Sequence, residues 1–189
     1  MSGEHSSELW LVRHGETEWS RDGRHTSTTD LPLTAEGEDV ARSLAPRLTE
    51  PFDLVLTSPR LRARRTAELA GHAEAEPDGD LAEWAYGDYE GVTTDEIRAT
   101  VPGWTVWSHP SPGGETVDQV SARLDRVVER CRTAAGPVLV FGHGHALRVL
   151  TARWLDLPGV DGRHFRLDTA TVSVLGFERE NPVVLRWNS

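Results

Sequence analysis

Three polar clusters in this 189-residue chain each follow directly on an apolar run: Arg13-His14 after 9–12, Ser58 with Arg62 after 52–57, and His143 after 137–141. Four to six bulky apolar residues closed by a breaker read as a buried strand. Open α/β sheets bind ligands beyond the carboxyl ends of their strands. If the three strands are parallel, all three clusters share one edge, and three clusters on one edge make a site. Two guanidinium groups and two imidazoles, with no lysine nearby, suit an anionic substrate. A phosphoryl group in transfer spreads its charge over three equatorial oxygens, which planar arginine forks and an imidazole can hold. A neutral imidazole can also attack phosphorus as a nucleophile, provided an acceptor holds its other ring nitrogen. A carboxylic acid must then protonate the leaving oxygen and later activate water. Asp80, Glu83, Asp88 and Glu90 lie close together in sequence as sources of that acid.

The elements that must position these groups alternate between strand and helix, which implies a mostly parallel sheet with helices on both faces. The first strand spans 9–13, and the polar stretch 16–33 reads as a long loop, the kind that carries function. Thr34 caps a helix over 35–48 that turns Val40, Leu44 and Leu48 to the core, with Pro46 kinking or ending it. After the strand 52–57, Ser58 as cap and Pro59 at the first position start a helix that runs to Ala70, with Gly71 closing it. Arg60, Arg62, Arg64 and Arg65 fall in its first two turns, where basic residues oppose the macrodipole. An anion at that helix end resolves the conflict. Thr93 caps a short helix, 102–114 is a second long loop, and a long amphipathic helix covers 115–134 with Cys131 on its buried face. A strand at 137–141, a helix at 145–156 and two strands at 171–177 and 183–187, joined by a turn at 180–182, complete the chain.

Composition narrows the classes. The length fits one domain with a sizeable core, here 9–189 behind a flexible tail at 1–8. A net charge of −10 disfavours nucleic acid and anionic membranes as partners. All 20 basic residues are arginines. A single cysteine permits no intrachain disulfide. The polar start has no apolar signal region, and no stretch is long enough to span a membrane. A soluble cytoplasmic protein is expected.

The segment Leu11-Val12-Arg13-His14-Gly15-Glu16-Thr17 resembles the signature of the histidine phosphatases, the phosphoglycerate mutase-like superfamily. The resemblance continues through Thr29-Asp30-Leu31-Pro32-Leu33-Thr34, Thr57-Ser58-Pro59-Arg60-Leu61-Arg62-Ala63, Leu81-Ala82-Glu83, Gly113-Gly114-Glu115-Thr116 and Gly142-His143-Gly144, in the family's order. The stretches 84–91 and 142–148 look closest to a branch of sedoheptulose-bisphosphatase-like enzymes and small bacterial phosphatases. The resemblance implies a three-layer α/β/α sandwich. It implies His14 as the nucleophile that becomes phosphohistidine, Glu83 as proton donor, and Arg13, Arg62 and His143 as the rest of the phosphate pocket. It further implies substrate contacts from Ser20, Ser27, Ser58, Gly144 and His145, and no metal or cofactor for the chemistry. Relatives often carry Asn where Ser20 stands and Gly where Ser27 stands.

The expected activity is hydrolysis of small phosphorylated metabolites, such as sugar phosphates or bisphosphates. A phosphoglycerate mutase is the alternative within the family, although the chain is short for the loop that closes over a mutase substrate. A non-catalytic phosphoryl-binding domain is the alternative outside it. His143 and His145 form a His-x-His pair that could hold a metal only with a third ligand, from His109 or an acid; no metal site is expected. An unperturbed His14 would lose activity below roughly pH 6, and the neighbouring arginines push that limit down.

Overall fold

A computed structural model describes residues 8–189, so positions 1–7 of the expected tail lie outside the described residues. The strands are β1 (Leu9–Arg13), β2 (Leu54–Thr57), β3 (Glu76–Pro77), β4 (Val138–Gly142), β5 (Val172–Glu178) and β6 (Asn181–Arg186). The helices are α1 (Glu18–Arg21), α2 (Ala35–Ser43), α3 (Leu61–Leu69), α4 (Thr94–Arg98), α5 (Val117–Arg132) and α6 (Gly144–Trp154).

Side chains of β1 alternate between the two sheet faces, as a period of two requires. Leu9 and Leu11 join the core under α5 and α6, with Val120, Leu124, Leu147 and Leu150. Trp10 and Val12 join the core of the other face, with Leu44, Leu48, Ala67 and Ala70. Three layers result: α2 and α3, the sheet, then α5 and α6. The sheet order is β3-β2-β4-β1-β5-β6. β1, β2, β3 and β4 run parallel, and β5 is antiparallel to β1 and β6. Arg13 pairs with Gly142, and Thr57 with Phe141. The three parallel strands therefore end level, and His14, Ser58 and His143 follow on one edge.

Several expectations about single elements are corrected. Val40 is 42 % exposed. The helix stops at Ser43, and the 3-10 turn around Pro46, not the helix, carries Leu44 and Leu48 inward. The 16–33 stretch contains α1, opened by a capping box between Thr17 and Ser20. Helix α3 begins at Leu61, not at Pro59, with Arg60 in the cap position and no side-chain cap of its own. The Leu61 N–H instead donates to the Asp30 carboxylate at 2.7 Å, so an anion does sit at that helix end and the protein supplies it. Asn181 and Pro182 belong to β6, and the turn comes earlier, at the left-handed Arg179.

Candidate active site

The loop after β1 leaves the sheet at Gly15. A Cβ there would stand 2.6 Å from the Gly37 carbonyl oxygen, so only glycine allows α2 to approach this closely. The Gly15 N–H donates to Thr66 Oγ1 at 2.9 Å, and Thr66 donates onward to the Arg62 carbonyl at 2.7 Å. The segment carrying His14 is thereby tied to the helix carrying Arg62.

His14 is 4 % exposed. Its Nδ1 lies 2.7 Å from the Gly15 carbonyl oxygen. A carbonyl only accepts, so Nδ1 carries the proton and Nε2 the lone pair. Burial, then the cations of Arg62 and Arg13, hold the ring well below its ordinary titration range. The imidazole is thus neutral, with its lone pair on Nε2. An acid limb of activity set by His14 should therefore lie below the ordinary histidine range.

The His143 ring stands 5.2 Å from that of His14, centroid to centroid. Its Nε2 is 2.7 Å from Ser58 Oγ. The Ser58 hydroxyl needs an acceptor for its proton, and Nε2 is the one within reach, which leaves Nδ1 of His143 as a donor. Burial, then Arg62, keeps this ring neutral as well. Arg62 is fully buried and donates to the carbonyls of Thr29, Thr26 and Ser27. Arg13 donates to the Leu167 carbonyl at 2.7 Å. Arg13 Nε, Arg62 Nε and His143 Nδ1 are buried without any acceptor in the protein. Such groups cost about 1–3 kcal/mol each when unpaired, and three in one cluster describe a cradle for an oxyanion.

Glu83 enters from the segment after β3. Its carboxylate accepts from the N–H groups of Trp84, His145 and Ala146, at 2.9, 3.0 and 2.8 Å. The last two open helix α6. Gly144 lies against Arg13, where a Cβ would approach the guanidinium carbon to 3.3 Å.

A cleft of about 180 Å³ brings together Arg13, His14, Glu83, Gly144, His145 and Ser20. Arg62, His143, Ser27 and Ser58 do not line it; Arg62 and His143 are fully buried behind it. The Ser27 hydroxyl bonds to Glu90, whose carboxylate also accepts from the Thr29 N–H, so the two residues shape the loop that Arg62 grips. The Ser20 hydroxyl is engaged with Thr17. Arg24, His25 and Arg148, which the sequence did not single out, form the outer wall beside Tyr86. Tyr86 Oη is 2.6 Å from His145 Nδ1, and Arg148 stacks on Trp107 at 4.8 Å. The clustered guanidinium groups give the cleft a positive field in an acidic protein, which draws anions in. Trp84 and Trp104 pack in the core. Among the described residues, no group of three His, Cys, Asp or Glu side chains could hold a metal, and no helix is long and apolar enough to cross a membrane.

Two measurements follow from this geometry. Ser58→Ala removes the group that sets the His143 tautomer, and kcat/KM should fall about 10-fold, less than loss of a direct donor. Stability should also depend steeply on acid. His14, His143 and His145 are all held well below their ordinary range by burial. The unfolded chain binds protons there below about pH 6.5 while the folded chain does not. The stability is therefore fully present above pH 6.5 and is lost as pH falls, at up to about 4 kcal/mol per pH unit where all three titrate only on unfolding. Urea unfolding at pH 7.5, 6 and 5 reads this directly.

The sheet thus ends in two histidines, a half-buried and a fully buried arginine, and a carboxylate on a helix N-terminus. Residues 9–189 fit the model of the histidine phosphatase superfamily (branch 1). The chain belongs to that superfamily and is a phosphatase of it. It is 42 % identical over 181 residues to an acid phosphatase of Mycobacterium tuberculosis, covering 93 % of this chain and 89 % of the relative. It is 36 % identical over 181 residues to sedoheptulose 1,7-bisphosphatase of Saccharomyces cerevisiae, covering 78 % of this chain and 67 % of the relative. A solved structure of an open reading frame product from Mycobacterium tuberculosis superposes with a TM-score of 0.90 at 41 % identity, covering 96 % of this chain and 97 % of that one. A structure described as a putative α-ribazole-5′-phosphate phosphatase from Escherichia coli superposes with a TM-score of 0.83 at 29 % identity, covering 97 % of both chains.

Proposed function

We propose that residues 9–189 form one catalytic domain that hydrolyses small phosphorylated metabolites, sugar phosphates and bisphosphates among them, through a phosphohistidine on His14 and without a metal. The observation that carries this reading is the His14 ring: neutral, with Nδ1–H tied to the Gly15 carbonyl, beside buried donors that lack acceptors. Nε2 attacks phosphorus, the N–P bond forms, and the P–O bond to the leaving group breaks as Glu83 delivers its proton to that oxygen. The carboxylate left behind is what the α6 N–H groups hold. It then takes a proton from water, whose oxygen attacks phosphorus and returns the electron pair to Nε2. Arg13, Arg62 and His143 hold the equatorial oxygens throughout.

The substrate class rests on the acid phosphatase and sedoheptulose bisphosphatase relatives and on the small cleft. We place the enzyme in the cytoplasm, since the lone cysteine is buried and unpaired. The test is a panel of sugar phosphates, sugar bisphosphates, sugar acids and nucleotides, scored by phosphate release, with an alkaline quench to trap labelled enzyme. Phosphate release with an acid-labile adduct on His14 is expected. An isomerised sugar acid without net phosphate release would make it a mutase, and tight binding without turnover a binding domain.

A further inference from the structure

The Gly113-Gly114-Glu115-Thr116 motif has no part in the chemistry above, yet Glu115 reaches the segment that carries Glu83. Its N–H donates to the Ala85 carbonyl at 2.8 Å. Its carboxylate accepts from the Ala85 N–H at 2.9 Å, and its carbonyl accepts from the Trp84 indole, also at 2.9 Å. The same carboxylate is forked by Arg123, Nε to Oε1 at 2.8 Å and Nη2 to Oε2 at 2.9 Å. Arg123 then spends its remaining donors on the segment itself. Nη1 donates to the carbonyls of Asp80 and Ala82 at 2.6 and 2.7 Å, and Nη2 to that of Glu83 at 3.3 Å. A guanidinium has five N–H groups, and all five are used on this segment or on Glu115. The Arg123 side chain is 12 % exposed, and it belongs to α5, a rigid four-turn element. The segment also has hydrophobic anchors: Leu81 and Trp84 pack in the core.

We propose that Arg123 and Glu115 are positioning residues for the acid step: the pair fixes the backbone of residues 80–85 so that the Glu83 carboxyl meets the leaving oxygen. The proposal rests on the phosphohistidine reading above. A general acid must stand within hydrogen-bond reach of the oxygen it protonates, and a misplacement of about 1 Å costs on the order of 100-fold. Neither residue touches substrate. Their effect therefore scales with how much the leaving group needs a proton. A phenolate with a strongly electron-withdrawing ring departs almost unaided, whereas an alkoxide does not.

The experiment is rapid-quench measurement of His14 phosphorylation by p-nitrophenyl phosphate and by glycerol 3-phosphate, in the wild type, Arg123→Lys and Glu115→Gln. Lysine lacks the planar fork and offers three donors in place of five. In Arg123→Lys, phosphorylation by glycerol 3-phosphate should fall about 30- to 100-fold, up to the lower limit of about 100-fold for a general acid lost outright, as fits an acid that is misplaced and not removed. Phosphorylation by p-nitrophenyl phosphate should stay within about 3-fold, because nucleophile and oxyanion donors are untouched. KM should change little for either. Glu115→Gln keeps an acceptor for the Ala85 N–H and should show the same selectivity at smaller amplitude, which guards against an Arg123 variant that folds poorly. Equal losses on both substrates, or no loss on either, would overturn the proposal and leave the pair a structural brace. A wild type that never labels His14 would instead bring down the phosphohistidine reading, and this proposal with it.

Discussion

His14→Ala should lower kcat by about 10⁴-fold or more, the scale seen when a covalent nucleophile is removed, and no acid-labile phosphoryl group should form on the protein. The physical reason lies in the ring's two nitrogens. The Gly15 carbonyl accepts the hydrogen bond of Nδ1–H, so the pair on Nε2 is available at every pH where the ring is neutral, and burial with Arg62 and Arg13 extends that range well into acid. Alanine removes the pair but none of the oxyanion donors. Inorganic phosphate should therefore still raise the melting temperature of the variant, as expected for a ligand that binds the native state alone. The variant should also fold, since the change takes a buried imidazole out of a crowded site. Retained phosphate binding with lost turnover separates chemistry from recognition. A variant that keeps more than about one per cent of wild-type kcat would show that another group attacks phosphorus or that water does so directly.

The parts of this site that follow a strand were legible in the sequence, because a buried strand announces itself locally. Leu9 to Val12 are apolar at every position since both sheet faces are covered, and the run stops where Arg13 and His14 begin. The same holds for Val138 to Phe141 before His143. The parts that depend on partners far away in the chain were not legible. The start of α3 was misplaced because its cap is the Asp30 carboxylate, 31 residues earlier, and no local signal reports that. Ser27 and Ser58 lie near the phosphate pocket, but their hydroxyls face Glu90 and His143, a choice made by tertiary packing. Arg24 and His25 come from one segment and Arg148 from another, and they share a wall only once the chain is folded. The strand β3 is two residues long, too short for any period to show.

Arg62→Met tests whether one buried cation serves both the substrate and the loop over it. In the folded protein Arg62 Nη1 and Nη2 hold the carbonyls of Thr29, Thr26 and Ser27, and Nε has no protein acceptor. Methionine fills much of the volume and offers no donor. Loss of one electrostatic donor to the developing charge costs about 10²- to 10³-fold in kcat. The loop carbonyls also lose their partner, at about 1 kcal/mol or more for each one that stays buried, so the melting temperature should drop as well. A third effect has a defined sign. Arg62 is the strongest charge depressing the His14 titration, and without it the imidazole moves back up toward its ordinary value. The acid limb of kcat/KM, which reports the free enzyme, should therefore shift to higher pH in Arg62→Met. Arg62→Lys keeps a positive charge but cannot fork across the loop carbonyls and an oxyanion together. It should hold the acid limb near its wild-type position and still lose most of kcat. An acid limb that stays put in Arg62→Met would mean that desolvation alone sets the His14 titration, and that the guanidinium acts only on the substrate.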